Sequence, residues 1–306
     1  MLNSNHLDQW FGLPVEEATA KTAFDFARKI YRFCYSYDDE ADPTPLFEKF
    51  LTSPGVEKTV AIVCGLPGES DTSFDDFLDL LERHHGHLPA LRGLFIGDIL
   101  QEENEMSWIN QGDVSRMLRC FPQLVELRAR GQTDLAFSFV QHPNLTKLVI
   151  ETGGMPKRVL HGIAASEFPA LTHLELWLGT DDYGWDGKME DILPLLNPAL
   201  FPKLKHLALG NSDLQNEIAA AVADAPILNQ LETLDLSLGV MTDAGAAPLL
   251  NSPRVRKLKK LNLHRNYLSA STAAAFKSLG IEVDVEGQEK PDTYDNEPHY
   301  YVAVGE

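Results

Sequence analysis

Phe201-Pro202-Lys203-Leu204-Lys205-His206-Leu207-Ala208-Leu209-Gly210-Asn211-Ser212-Asp213-Leu214 is the stretch that decides the fold. As a pattern it reads P-x-L-x-x-L-x-L-x-x-S-x-L, and the pattern recurs along the chain. Pro89-x-Leu91-x-x-Leu94-x-Ile96 is one copy, followed by Pro122-x-Leu124-x-x-Leu127-x-Ala129 and Pro143-x-Leu145-x-x-Leu148-x-Ile150. Pro169-x-Leu171-x-x-Leu174-x-Leu176 precedes the opening stretch. Leu231-x-x-Leu234-x-Leu236 and Leu258-x-x-Leu261-x-Leu263-x-x-Asn266-x-Leu268 follow it. From Leu91 onward the spacings are 33, 21, 26, 33, 27 and 27 residues. Weaker copies lie at Val60-x-Ile62 and Val283-x-Val285.

This is the leucine-rich-repeat line, with Ser212 where Asn usually stands. Alternation at its second and third apolar positions is a strand signal, one face in and one out. The intervening stretches carry helical spacing, as in Leu214, Ile218 and Val222. Asp113, Ser212, Thr242 and Ser269 are the expected helix caps. A strand–helix unit of this length cannot bury its apolar stripe alone, so neighbours stack and share a core. The Thr242-Asp243-Ala244-Gly245-Ala246-Ala247 stretch resembles the helical turn of ribonuclease-inhibitor-like repeats. The expected fold is a right-handed α/β horseshoe, with a parallel sheet on the concave face and helices on the convex face.

The chain has 306 residues, with 26 Lys plus Arg against 45 Asp plus Glu, a net charge of −19. Phosphate backbones need clustered cations, so nucleic acid is a poor partner for it. An acidic chain favours a basic protein, a basic peptide or a cation. Cys34, Cys64 and Cys120 share no metal or disulfide spacing and read as free thiols, which suits a reducing cytoplasm. Met1-Leu2-Asn3-Ser4-Asn5-His6 has no basic region and no apolar core of a signal peptide. No apolar run approaches membrane-spanning length.

In chain order, residues 1 to 20 read as irregular. Lys29 to Tyr37 alternates, with Tyr31, Phe33, Tyr35 and Tyr37 on one face, and is the expected N-terminal capping strand. Leu46, Phe47, Phe50 and Leu51 are spaced for a short helix. Residues 1–56 form the expected cap, 57–286 the solenoid, and 287–306 a tail. The tail is polar until Tyr300-Tyr301-Val302-Ala303-Val304, and it is expected to fold back or to act as a docking peptide.

Further residues carry a family resemblance. They are His6-x-x-x-x-Phe11-Gly12-Leu13-Pro14, Gly97-Asp98-Ile99, Glu105-x-Ser107-Trp108-Ile109-x-Gln111-x-Asp113-Val114 and Glu151-Thr152-Gly153-Gly154-x-Pro156. Leu176-Trp177-Leu178-Gly179, Tyr183-Gly184 and Tyr301-Val302-Ala303-Val304-x-Glu306 complete them. Through these the chain resembles a family of bacterial cytoplasmic leucine-rich-repeat proteins along its whole length. The resemblance implies the fold and brings no catalytic activity. Genes of that family are thought to lie beside radical-enzyme and ATP-grasp genes, which implies an accessory role in peptide or metabolite modification.

Outward strand positions supply the candidate surface. The central column is Phe95, Arg128, Val149, Glu175, Ala208, Asp235 and Asn262. Before it run Gly93, Glu126, Lys147, His173, His206, Thr233 and Lys260. After it run Gly97, Arg130, Glu151, Trp177, Gly210, Ser237 and His264. A Trp pointing out of a strand suits a binding hot spot, or is covered by a loop. Two repeats carry insertions just after the strand, Gly97 to Trp108 and Thr180 to Asp186, and parallel strands send both to one rim. That rim mixes Glu102, Glu103, Glu105, Glu151, Asp181 and Asp182 with Trp108, Tyr183 and Trp185. Aromatics ringed by carboxylates suit a basic peptide or cationic ligand; alternatively, the tryptophans staple long loops to the scaffold. His173, Glu175 and His206 can hold a divalent metal, with His264 near, although solvated residues are the plainer reading. No phosphate loop or nucleophile motif stands out. The expectation is a non-catalytic protein- or peptide-binding scaffold without a cofactor. The alternative is a metal-dependent or accessory enzyme component.

Overall fold

The computed structural model describes residues 5–36, 40–69 and 71–305. Tyr37 of the expected capping strand and Glu306 of the C-terminal motif lie outside the described residues. Twelve strands form one sheet in chain order. They are β1 (Gln9–Trp10), β2 (Leu13–Glu17), β3 (Ile30–Phe33), β4 (Ala61–Cys64), β5 (Gly93–Ile96) and β6 (Glu126–Arg130), then β7 (Lys147–Glu151), β8 (His173–Gly179), β9 (His206–Ser212), β10 (Thr233–Asp235), β11 (Lys260–Asn262) and β12 (Glu282–Asp284). β1 pairs antiparallel with β2, and every later neighbour is parallel.

The repeat leucines stand in register across the sheet. Ile62, Leu94, Leu127, Leu148, Leu174, Leu207, Leu234, Leu261 and Val283 are successive partners. All but Val283 are fully buried, and Val283 packs against the same core. Because side chains alternate along a strand, this rung fixes which residues face the core and which face away.

Helices cover the core side: α1 (Thr44–Thr52), α2 (Asp75–His84), α3 (Ser115–Cys120), α4 (Lys157–Ala165), α5 (Met189–Ile192), α6 (Gln215–Asp224), α7 (Asp243–Asn251) and α8 (Ala270–Lys277). α6 buries Ile218, Ala219 and Val222 on one face. The 21-residue repeat between β6 and β7 has no helix, only bridges at Thr133, Ala136 and Gln141. Among the described residues no helix is long and apolar enough to cross a membrane.

Three of the four expected caps act differently. Only Ser269 caps its helix through the side chain, accepting from the Thr272 N–H. Thr242 sits at the start of α7 but makes no cap bond there; its N–H and hydroxyl turn to Asn216 Oδ1. Asp113 and Ser212 accept the N–H two residues on, at Ser115 and Leu214, closing turns before α3 and α6. The Asn slot is also filled in more than one way. Buried Asn266 donates to the Leu236 and Leu263 carbonyls and accepts from the Met241 N–H. In the opening repeat Ser212 is too short, and Gln215 reaches the Leu209 carbonyl instead.

Residues 1 to 20, expected to be irregular, instead contain β1 and β2, so the sheet begins two strands earlier. β2 pairs with β3 from Val15–Ile30 to Glu17–Arg32. Trp10 packs with Ile30, Ala61, Val63 and Phe95 on the face of the sheet away from the helices, supported by Leu7, Leu13 and Val15. Phe95, expected in an open column, is therefore outward but covered. Gly93 makes this possible, since a Cβ there would meet the rings of Phe11 and Trp10.

The register leads to a direct test. Leu207→Ala should destabilise the fold by ~2–5 kcal/mol. Lys205 is exposed, and Lys205→Ala should shift stability by less than about 0.5 kcal/mol in urea denaturation. Equal effects would mean a register wrong by one residue.

Candidate functional site

Two places on the sheet bring the candidate residues together. The first is on the outward face of β8 and β9. His173 and His206 are register partners, and their rings stack at 3.8 Å with planes 3° apart. Glu175 stands two residues beyond His173, its Oε2 lying 3.3 Å from His173 Nε2. Trp177 Nε1 donates to the other carboxylate oxygen at 3.1 Å. Burial works to raise the Glu175 pKa, but hydrogen bonds from His173 and Trp177 hold it below the usual range. Burial pushes His206 down to about 4, helped by the charge of His173. His206 is thus a neutral imidazole at pH 7, and its Nε2 is buried with no hydrogen-bond partner among the described residues.

Beside this group Ala208 and Gly210 lie between Glu175–Trp177 and Asp235–Ser237, opening a cleft of about 290 Å³. His264, expected beside the histidine pair, lies further along, two strands from β9. It lines the far side of the cleft, 3.7 Å from Asp284.

The second place is the rim. A cavity of about 790 Å³ is bounded by both insertions, through residues such as Gln101, Asn104, Asp181 and Tyr183, and by the tail from His299 to Gly305. The tail crosses here as irregular chain with a bend at Ala303. The Ala303 N–H donates to the Leu238 carbonyl, and the Val304 N–H to Asn211 Oδ1. The Asn211 amide donates in return to the Val304 carbonyl. Tyr301 exchanges backbone hydrogen bonds with the Tyr267 hydroxyl. Asn211 has φ +52°, a conformation Asn tolerates better than most residues.

The expected rim residues separate into those committed to the scaffold and those facing solvent. Trp185, expected in an exposed aromatic group, is 5% exposed and belongs to the main core. Trp177 is also buried, under Met106, Leu238, Ala303 and Val304. These two tryptophans hold loop and tail in place, and no single aromatic cluster forms with Trp108, which is 59% exposed. The Tyr183 ring packs against Gly305 of the tail. Glu151 is buried, paired with Arg130 at 2.6 Å, and Arg130 also donates to the Ile99 carbonyl. Glu103 contacts His6 and accepts from the Leu100 N–H. Glu102, Glu105, Asp181 and Asp182 are exposed. Asp213, absent from the expected set, lines the cavity with Oδ1 buried and without a hydrogen-bond partner among the described residues. Burial and then the charge of Asp181 raise its pKa.

Sequence reasoning also missed Asn211 and Gln111. The Gln111 amide lies buried against the Ile96 and Arg130 carbonyls at the base of the first insertion. Asn211 lies one position before Ser212 of the repeat pattern and Gln111 just beyond the first insertion, so no periodicity marks them, and Gln111 stood in the sequence reading only within the resemblance motif.

Fold and repeat pattern together define an α/β solenoid of leucine-rich-repeat type. No protein-family profile and no curated protein matches the chain. Among solved structures it is similar to a protein from Bacteroides fragilis, a Northeast Structural Genomics Consortium target. Identity is 33% over 89% of this chain and 76% of that one, with a TM-score of 0.80. The chain belongs to the family of that Bacteroides protein, whose description states no activity. An internalin from Listeria monocytogenes matches at 14% identity over 76% of this chain and 75% of its own, with a TM-score of 0.30.

The two tryptophans of the insertions should behave oppositely. Trp185→Ala should cost ~3–5 kcal/mol, and Trp108→Ala less than about 0.5 kcal/mol, by chemical denaturation.

A pH test addresses the N-terminal segment. Burial opposes the His6 imidazolium, but the carboxylates of Asp98 and Glu103, 3.5 and 3.2 Å away, outweigh it and raise the pKa from 6.5 to about 9. A raised folded pKa stabilises fully below the unfolded value and is lost as pH rises through the folded one. The melting-temperature gap between the native chain and His6→Ala should therefore be widest below pH 6.5 and shrink towards pH 9. A gap constant across that window would remove His6 from the stability balance.

Proposed function

We propose that the protein is a non-catalytic, cytoplasmic scaffold that binds a basic peptide or a basic segment of a protein at the acidic rim. In this reading the solenoid is a right-handed horseshoe spanning 57–286, with the sheet concave. Residues 1–56 cap it, and 287–306 form a folded-back tail. Its three cysteines are unpaired, in keeping with a reducing compartment.

The observation that carries the reading is the tail itself. A segment of chain already lies in the rim groove, its backbone held by hydrogen bonds at Leu238 and Asn211. A groove that holds one segment through its backbone has the chemistry to hold another. The adjoining cavity is walled by Asp181, Asp182 and Asp213, and the Asp213 oxygen, unpartnered among the described residues, calls for a donor. The arginines lining it, Arg130 and Arg265, already pair with Glu151 and Glu289. A lysine or arginine side chain supplies both the donor and the opposite charge.

The test is fluorescence anisotropy with a labelled peptide of alternating Lys and Val. Affinity should fall as salt rises, because exposed charges are screened over ~10 Å at 0.1 M. Asp181→Lys with Asp182→Lys should slow association roughly tenfold or more. Removing 300–306 should lower the melting temperature and tighten peptide binding, because chain and peptide share the groove. Binding indifferent to salt and to the double reversal would defeat the reading.

The accessory-enzyme reading draws support from one observation, the grouping of His173, Glu175 and His206.

A further inference from the structure

The geometry points to a divalent transition-metal site formed by His173, Glu175 and His206 on the outward face of β8 and β9, beside the Ala208–Gly210 cleft. The site stands independently of peptide binding at the rim. One donor atom from each of the three residues lies within 4.8 Å of the others. Metal–ligand bonds of ~2.0–2.2 Å place donors on one ion ~3.3 Å apart, so the stacked rings must swing out of their parallel arrangement to aim both nitrogens at one ion. The parallel sheet supplies the rigidity. His173 and His206 are paired in register on adjacent strands, and Glu175 projects from the same face two residues along.

Two of the three donors are placed as coordination requires. His206 Nε2 is sheltered from solvent and has no hydrogen-bond partner among the described residues, an arrangement that costs free energy while its lone pair is unused. Glu175 Oε1 is fixed by the Trp177 indole N–H, while Oε2 faces His173. An outer donor of this kind orients a ligating carboxylate. Trp177 is itself held in place by Met106, Leu238 and the tail.

Two imidazoles and one carboxylate select the metal class. Calcium and magnesium take oxygen donors, whereas imidazole suits zinc, cobalt, nickel and iron(II). Three protein ligands leave at least one position for water or for an oxygen or nitrogen donor of a small ligand. Glu175 of the set also lines the adjoining cleft, where Ala208 and Gly210 contribute almost no side chain, and Asp235, Ser237 and Asn262 line the opposite wall. Asp235 is held by its own hydrogen bonds to Ser237 and Asn262, so it shapes the cleft without entering the ligand set.

The experiment uses the full chain, stripped with chelator, then titrated with Zn²⁺ by calorimetry and with Co²⁺ by visible absorption. The expected result is one equivalent of either ion, with cobalt bands of low-symmetry nitrogen–oxygen coordination and a rise in melting temperature on adding Zn²⁺. His206→Ala and Glu175→Gln should lose the bound equivalent and the Zn²⁺-dependent melting shift. Circular dichroism of the metal-free variants confirms folding. Trp177→Phe should keep the stoichiometry and weaken binding ~10–100-fold. His264→Ala should bind as the native chain does. The site is overturned if the native chain takes up no stoichiometric ion, or if folded Glu175→Gln retains it. Loss of the ion in His264→Ala, with His206→Ala unaffected, would overturn it as well.

Discussion

Every other feature of the structure depends on the shared leucine rung. A strand and its short helix cannot bury their apolar faces alone, so each repeat is stable only against its neighbours. Leu94 to Leu261 meet in strict register across seven strands, and none is exposed. Because a slip of one residue would turn every leucine outward, the rung also fixes the outward columns. That is why His173 and His206 stand side by side, and why both insertions open on one edge.

A stack of this kind leaves ends and a sheet face uncovered, and the chain closes part of each with its own termini. Trp10 and its neighbours cover the outward face over β3 to β5, and Trp10 Nε1 donates to Glu126 further along. The last residues cover Trp177 and Leu238. An apolar column left open there would invite association with other chains. Between the covered regions the outward face is polar, from Arg128 and Lys147 through His173 and Glu175 to Asn262.

The fold was legible because leucine periodicity is a direct record of burial. The strands from β4 to β12 and the register of the rung follow from spacing alone. β1 and β2 were not legible, since Gln9 to Glu17 carries only two adjacent aromatics and a proline, with no repeat signal. Helix caps were half legible. Asp113 and Ser212 lie near the helix starts, but each closes a turn, two and three residues before the first helical residue. In the site, the columns were readable, and with them the neighbourhood of His173, Glu175 and His206. Exposure was not readable. Trp108 and Trp185 look alike in sequence, each inside a polar insertion, yet one faces solvent and the other joins the core. Packing into the main core, a tertiary fact, separates them, and Gly187 leaves room for the Trp185 ring.

The acidic composition also divides on closer inspection. Much of it is tied up in pairs that hold the solenoid together. Glu17 meets Arg32, Glu151 meets Arg130, Glu126 meets Lys147 and Glu232 meets Lys259. Of these, the buried Arg130–Glu151 pair joins register partners on β6 and β7, so it doubles as a cross-strand contact at the base of the rim. Asp181, Asp182, Glu102 and Glu105 remain exposed, all four on the two insertions. Exposed carboxylates also lie on the helices, as at Asp75, Asp76, Asp79 and Glu82, so what distinguishes the rim is the cavity its acids border and the tail lying in it. A surface charge spread evenly over the molecule would aid solubility alone. Under the proposed reading, carboxylates beside a groove, with an acidic oxygen inside it unpartnered among the described residues, do more: they favour cationic partners and set the direction from which these approach.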